Sequence, residues 1–279
     1  MKIRIVTDSG SDLSDEEAAN SGISIVPLSI RFGEEELIDR VELEADEFYN
    51  RMHNSEDVPQ TAAPSPGAFK TAFEECFEQG AESIICINMS SDLSATIQAA
   101  ETGARELDGR DIHIFDSKSV TSGLGTMVLE AAKASKDNHS VDEILALLDD
   151  LRSKTRVYAA IDTLENLKKG GRIGNAQALL GSMLSIKPLI DVSTGIVEEA
   201  GRQRTRKKSL FWLRDKLAEF EGNIENLVVM HARAEDLDDF LKTLEGQIDH
   251  TKIRVSPLGP VVASHGGPGV IGISFTLKN

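Results

Sequence analysis

Cysteine is nearly missing from this 279-residue chain: only Cys76 and Cys86 are present. They lack the paired spacing of a metal site, and they fall in a helix pattern and a buried-strand pattern respectively, so packing accounts for both. With no secretory leader to read, the expected location is the reducing cytoplasm. No apolar run approaches the ~18 residues that a spanning helix needs, so no integral membrane segment is expected. Basic charge is also short. Thirty Lys and Arg stand against 46 Asp and Glu, for a net charge of -16, which repels nucleic-acid phosphates and predicts no nucleic-acid partner. Internal repeats and low-complexity tracts are absent. So are the Gly-Lys-Ser/Thr ending of a P-loop, a His-Glu-x-x-His zinc helix and a Gly-x-Ser-x-Gly nucleophile elbow. No metal and no cofactor are therefore expected.

What is present is an alternation of short apolar runs and helix patterns. At 40% hydrophobic residues, the chain suffices for one large domain or two of medium size. Residues 2–7 predict a first strand ending in the polar turn Asp8-Ser9-Gly10-Ser11-Asp12. Ser14 and Glu17 have the spacing of a capping box and open a helix that Gly22 ends. Residues 23–30 predict one strand, with Pro27 marking an edge position or bulge. Residues 31–39 read as a hairpin or irregular excursion, and 44–53 as a helix. In Val58-Pro59-Gln60-Thr61-Ala62-Ala63-Pro64-Ser65-Pro66, three prolines hold the chain extended and stiff. That loop is either a rigid connector or a clamp that presents Thr61 to a ligand.

The most informative stretch is Ser90-Ser91-Asp92-Leu93-Ser94-Ala95-Thr96, between the apolar run 83–88 and a helix pattern over 97–105. Ligands of open α/β sheets bind outside the carboxyl ends of the strands. The first amides of a helix also favour an anion, and the loop offers four hydroxyls beside them. The same residue types are ordinary helix caps. A further strand over 111–115 ends in Asp116-Ser117 before a helix from about Thr121. Three strand ends thus share short hydroxyls and carboxylates. If the strands are parallel, these ends line one rim.

Ser140 and Glu143 form a second capping box, for a helix to about Lys154, where the domain boundary is placed. Beyond it the expectation is a strand over 157–161, a short helix over 163–169 and the basic turn Lys168-Lys169-Gly170-Gly171-Arg172. A helix over 176–185, a hairpin from 186 to 199, a helix through Leu210, Leu213 and Leu217, a strand over 226–231, a helix over 234–245 and a strand over 270–277 follow. Five of the seven residues from Arg202 to Lys208 are basic, which reads either as a solvated helix face or as a patch for an acidic partner. His265 is read as ending an apolar strand just before Gly266-Gly267-Pro268-Gly269, where glycine backbone lets a ligand approach. His231 lacks such glycines and is read as structural.

Together these segments resemble the DegV family of bacterial fatty-acid-binding proteins. The likeness rests on Thr7-Asp8-Ser9, Val26-Pro27-Leu28, the Thr61-to-Pro64 loop, Ser90 to Thr96 and Phe115-Asp116-Ser117-Lys118-Ser119. It continues through Lys169-Gly170-Gly171-Arg172-Ile173, Ile186-Lys187-Pro188, Arg204-Thr205 and Gly259 to Gly269. The resemblance implies two α/β domains, 1–154 with a mostly parallel sheet and 155–279 with a mixed sheet, holding a long-chain fatty acid between them. It implies carboxylate contacts from Thr61, Ser94, Ser91 and His265, with Arg172 and Arg204 serving the head group or a partner. That partner would be a separate ATP-dependent fatty acid kinase, and the acyl phosphate would feed phospholipid synthesis. The chain would then be a carrier and not itself a catalyst. It departs from the family pattern at Ala62-Ala63 and at Ala95, where Ser-Gln and Gly are usual. The competing reading is a phosphotransferase or hydrolase working through Asp8, Asp116 and His265.

Overall fold

A computed structural model describes residues 2–54, 58–246 and 248–278. The first half of the chain forms β1 (Ile3–Asp8), α1 (Asp15–Ser21), β2 (Ile23–Val26), β3 (Ser29–Phe32), β4 (Glu35–Ile38), α2 (Ala45–Asn54), β5 (Gln60–Ala62), α3 (Pro66–Glu78), β6 (Ser83–Asn88), α4 (Thr96–Arg105), β7 (Ile112–Asp116), α5 (Thr121–Lys136) and α6 (Val141–Lys154). The second half forms β8 (Thr155–Ala160), α7 (Glu165–Lys169), β9 (Lys187–Asp191), β10 (Glu198–Gln203), α8 (Arg206–Ala218), β11 (Ile224–His231), α9 (Leu237–Thr243), β12 (Arg254–Pro257), α10 (Pro260–Gly266) and β13 (Ile271–Leu277). The helix expected over 176–185 is a 3-10 helix, Gly174–Ser185.

Both capping boxes form. Ser14 accepts the Glu17 amide while the Glu17 carboxylate takes the Ser14 amide, and Ser140 and Glu143 repeat the exchange. β2, β1, β6 and β7 make a sheet in that order, every pair parallel. Asp8, Asn88 and Asp116 therefore end adjacent strands on one rim, as the alternation predicts. The second sheet runs β10-β9-β8-β13-β11-β12, antiparallel except for β11 with β12. This is the α/β fold with one parallel and one mixed sheet.

The stretch 23–30 is not one strand. Pro27 has no N–H for the ladder, so pairing with β1 stops at Val26. The next amide, of Leu28, donates to the Ser9 hydroxyl (3.1 Å), and the chain continues as β3 in a separate antiparallel sheet, β4-β3-β5. The proline-flanked loop supplies its edge strand. Thr61 lies in β5 opposite Ile30 and is thus part of a ladder, not a free connector.

α5 lies between the two large sheets. It packs on β1 and β6 on one side and on β8, β11 and β13 on the other, and Leu124, Met127, Val128 and Ala131 are wholly buried. Gly125 permits this close approach, because a Cβ there would stand 2.6 Å from the Ser11 carbonyl oxygen. The largest apolar cluster runs from Ile3 and Ile85 through Leu124 to Val157, Met230 and Val270, continuous from one sheet to the other. Separate clusters fill the outer faces, around Phe69 and Phe73 of α3 on the first sheet and around Leu213 of α8 on the second.

Candidate functional site

Between the sheets is a cavity of about 110 Å³ whose wall is drawn from both halves of the chain. On β8, Val157 and Ala159 face the cavity, with Ile161 just beyond the strand, while Tyr158 and Ala160 pack into the outer cluster. This is the two-residue period of a strand buried on both faces. That double burial hides the lining positions in the sequence, where 157–161 reads as one apolar run. Leu28, Met89 and Met230 add further apolar wall. The polar residues on the wall are Thr61, Ser94, Thr121, Arg172 and His265.

Four of these five are linked. Thr61 Oγ1 and His265 Nε2 are 2.8 Å apart. Arg172 lies close enough to His265 for its positive charge to lower the imidazole pKa. Its Nε donates to the Leu93 carbonyl (2.9 Å), next to Ser94, and its Nη1 to the Gly170 carbonyl (2.8 Å). Ser94 Oγ is 2.8 Å from Thr96 Oγ1, so it sits just ahead of the Ala95 N-cap of α4. Burial, reinforced by Arg172, depresses His265 to about 4; at neutral pH the ring is uncharged and carries one N–H. The head of the cavity thus combines one guanidinium with neutral donors, a set suited to a single anion.

His265 is not at a strand end as its sequence suggests; it is in the last turn of α10. Val261, Val262 and Ala263 fit a strand or a helix equally by pattern. Pro260, at the first helical position, decides for the helix, and Gly267 with φ +83° ends it. The other end of α10 is held where the Gly259 amide donates to Asp12 Oδ1 (3.0 Å). Val261 and Val262 line the cavity along the intervening ~10 Å of helix, and the Thr121 hydroxyl, donating to Met230 Sδ (3.4 Å), lies on the wall beside the Asp12 end.

Ser91 is not brought to this cavity. Asp116, on the neighbouring strand end, accepts its hydroxyl (2.6 Å), and Lys118 Nζ donates to the same oxygen (2.8 Å) while pairing with Asp92 and Asp116. Arg204 is exposed and also off the cavity wall. The basic run around it is not one helix face. Arg202 lies in β10, Thr205 caps α8, and Arg206 is engaged by both Asp236 oxygens (2.8 and 2.9 Å) and by the Gly269 carbonyl. His231 is half-buried at the end of β11 and off the cavity wall.

The acidic residues of the competing reading do not converge. Asp8 is completely buried, with Oδ1 taken by the Gly10 amide and Oδ2 by Asn88 Nδ2 and the Met89 amide. It staples β1 to β6, and burial raises it to about 6. Asp116 is held below the usual carboxylate range, against its partial burial, by bonds from Ser91 and Lys118. Lys118 stays charged between Asp92 and Asp116, so it is no base for Ser91. Neither aspartate faces the cavity that holds His265. Among the described residues, no group of three or more His, Cys, Asp or Glu could hold a metal ion, and no helix is long and apolar enough to cross a membrane.

Comparison with known proteins bears on this geometry. The DegV family model, described as "Uncharacterised protein, DegV family", matches residues 2–278. A DegV domain-containing protein of Staphylococcus aureus (strain COL) is 35% identical over 277 residues, covering 98% of each chain. The structure of a DegV family protein from Thermus thermophilus, reported for its fatty acid binding, superposes with a TM-score of 0.90 at 33% identity, covering 99% of this chain and all of the other. A stearic acid-binding protein from Eubacterium ventriosum superposes with a TM-score of 0.88 at 28% identity, over 99% of this chain and 98% of that one.

Proposed function

This chain belongs to the DegV family, and we propose that it binds a long-chain fatty acid and presents the carboxylate to a separate ATP-dependent fatty acid kinase. The observation that carries the reading is one cavity with an apolar wall and a single polar head made by Thr61, Ser94, Arg172 and His265. A long-chain fatty acid has that division of chemistry. Burying about fifteen methylenes at ~0.8 kcal/mol each drives association, before the cost of ordering the chain. The head supplies donors that a buried carboxylate requires. A cavity of about 110 Å³ is smaller than the ~150 Å³ that admits one benzene, so an acyl chain enters by moving the wall apart. In this reading, residues 1–154 and 155–279 act as two domains with the ligand between them, and the acyl phosphate goes on to phospholipid synthesis.

The test is native mass spectrometry of freshly purified protein, followed by organic extraction. A stoichiometric fatty acid supports the reading and identifies the chain. An empty protein that also takes up neither palmitate nor oleate overturns it.

The kinase step makes a separable prediction. Arg204 is exposed beside an otherwise acidic body, where it can orient an acidic docking surface. Arg204→Ala should leave palmitate affinity within about twofold, as expected for a rim charge, while slowing acyl phosphate formation by the kinase. Lost lipid binding with normal phosphorylation would reverse that assignment.

A further inference from the structure

We infer that Gly170 is a positioning residue for the head group, and that it is glycine because the His265 ring occupies the space its side chain would fill. The inference rests on the carboxylate reading given above. The backbone does not demand glycine: φ is -76° and ψ -7° there, which any residue adopts. Space does. A Cβ on Gly170 would stand 2.3 Å from His265 Nδ1 and 2.8 Å from Cε1.

The ring has little room to retreat. Asn166, itself buried, donates from Nδ2 to the Ser264 carbonyl (3.1 Å), tying α7 to the turn of α10 that carries the histidine. On its far side the ring meets Thr61. The imidazole is therefore clamped between the Gly170 backbone and the edge strand β5. The Gly170 carbonyl meanwhile accepts Arg172 Nη1 (2.8 Å), so one residue sets the position of both nitrogen-bearing side chains at the head.

The clamp also selects a tautomer. Nδ1 is buried and has no hydrogen-bond partner. A proton there would face Gly170 with no acceptor, which is costly for a buried donor. The stable neutral form keeps the proton on Nε2, where it donates to Thr61 Oγ1. Thr61 then accepts from the ring, and its own O–H is free to donate into the cavity. The missing side chain at residue 170 thus decides which way the Thr61 proton points.

The experiment compares palmitate with hexadecanol, which keeps the chain and loses the charge. Gly170→Ala should weaken palmitate by about tenfold or more, the worth of one bond to a charged group, and hexadecanol by less than about twofold. With His265→Ala in place the two ring contacts are gone and the added methyl meets only the Asn166 carbonyl oxygen, at 3.0 Å, so Gly170→Ala/His265→Ala should bind palmitate as His265→Ala does. That background also serves if Gly170→Ala alone fails to fold. Nitrogen-15 NMR of the histidine ring in ligand-free protein should report an Nε2–H tautomer in the parent and a changed population or exchange in Gly170→Ala. Equal losses for both ligands, additive effects in the double variant, or an Nδ1–H ring in the parent would each overturn the inference. Failure of the parent itself to bind palmitate would instead sink the fatty acid reading, and the ring NMR would still decide the role of Gly170.

Discussion

Removing both head-group hydroxyls together, with Thr61→Val and Ser94→Ala, should weaken palmitate binding by at least about 100-fold, since each bond to a charged group contributes ~1.5–3 kcal/mol. Thr61→Val keeps the shape of the side chain and leaves His265 Nε2 facing a methyl group. Ser94→Ala removes the hydroxyl next to the Leu93 carbonyl that holds Arg172, and leaves the guanidinium in place. The remaining cation can still attract a carboxylate, but not orient it. Isothermal titration with palmitate and hexadecanol reads the result. The alcohol, bound mainly by its chain, should lose far less. If the double variant binds palmitate as the parent does, the carboxylate lies elsewhere.

The second large effect concerns acid, and it centres on Asp12. This residue takes a left-handed conformation at φ 52° and accepts the Gly259 amide at the start of α10. Burial raises it to about 7; the Asp39 charge adds to the rise, while Thr121, Gly259 and Arg40 oppose it. Asp39 itself is raised to about 6 by burial, and Asp8 likewise. These folded-state values lie above the unfolded ~3.9, so the native chain binds more protons between roughly pH 4 and 7, and stability falls as pH rises through that window. His265 and His231 are shifted downward by burial and act oppositely. Their contribution is present above the unfolded ~6.5 and is lost as pH falls toward the folded values.

Asp12→Asn separates these terms. Asparagine tolerates the same backbone and can still accept from Gly259, but carries no charge to bury. It should stabilise the protein by about 4 kcal/mol at pH 8, and the difference should shrink as pH falls and vanish near pH 4, where the carboxyl is protonated in the folded and unfolded chain alike. Urea unfolding at both pH values checks this, and an equal effect at the two would refute it.

Local chemistry carried far in this chain. Ser14 with Glu17 and Ser140 with Glu143 announce their helices because a capping box is complete within four residues. The shared rim of Asp8, Asn88 and Asp116 follows from strand–helix alternation, since parallel strands need crossovers. What escaped was decided by partners distant in the chain. Pro27 marks an irregularity, but nothing near it says that β3 will leave for another sheet and pair with residues 60–62. Val261 to Ala263 fit two periodicities, and the helix wins on Pro260. Ser91 and Ser94 look alike in sequence, yet Asp116 and Lys118 claim the first from across the rim. Gly170 gives no local sign of the ring it accommodates.

The strand that carries Thr61 is three residues long and pairs on one side only, with β3. Amide hydrogens in such an edge segment exchange through local opening, at far less free energy than global unfolding. The core around α5 is wholly buried, and its amides should exchange only when the whole molecule opens. On the proposed reading, one head-group contact would therefore sit on a three-residue edge ladder, while the acyl wall would be drawn from the buried core. If the chain carries a fatty acid as proposed, fraying of three residues would release the carboxylate to solvent, and to whatever acts on it, while the acyl chain stays buried. Exchange at residues 60–62, slowed by bound ligand, would time that release.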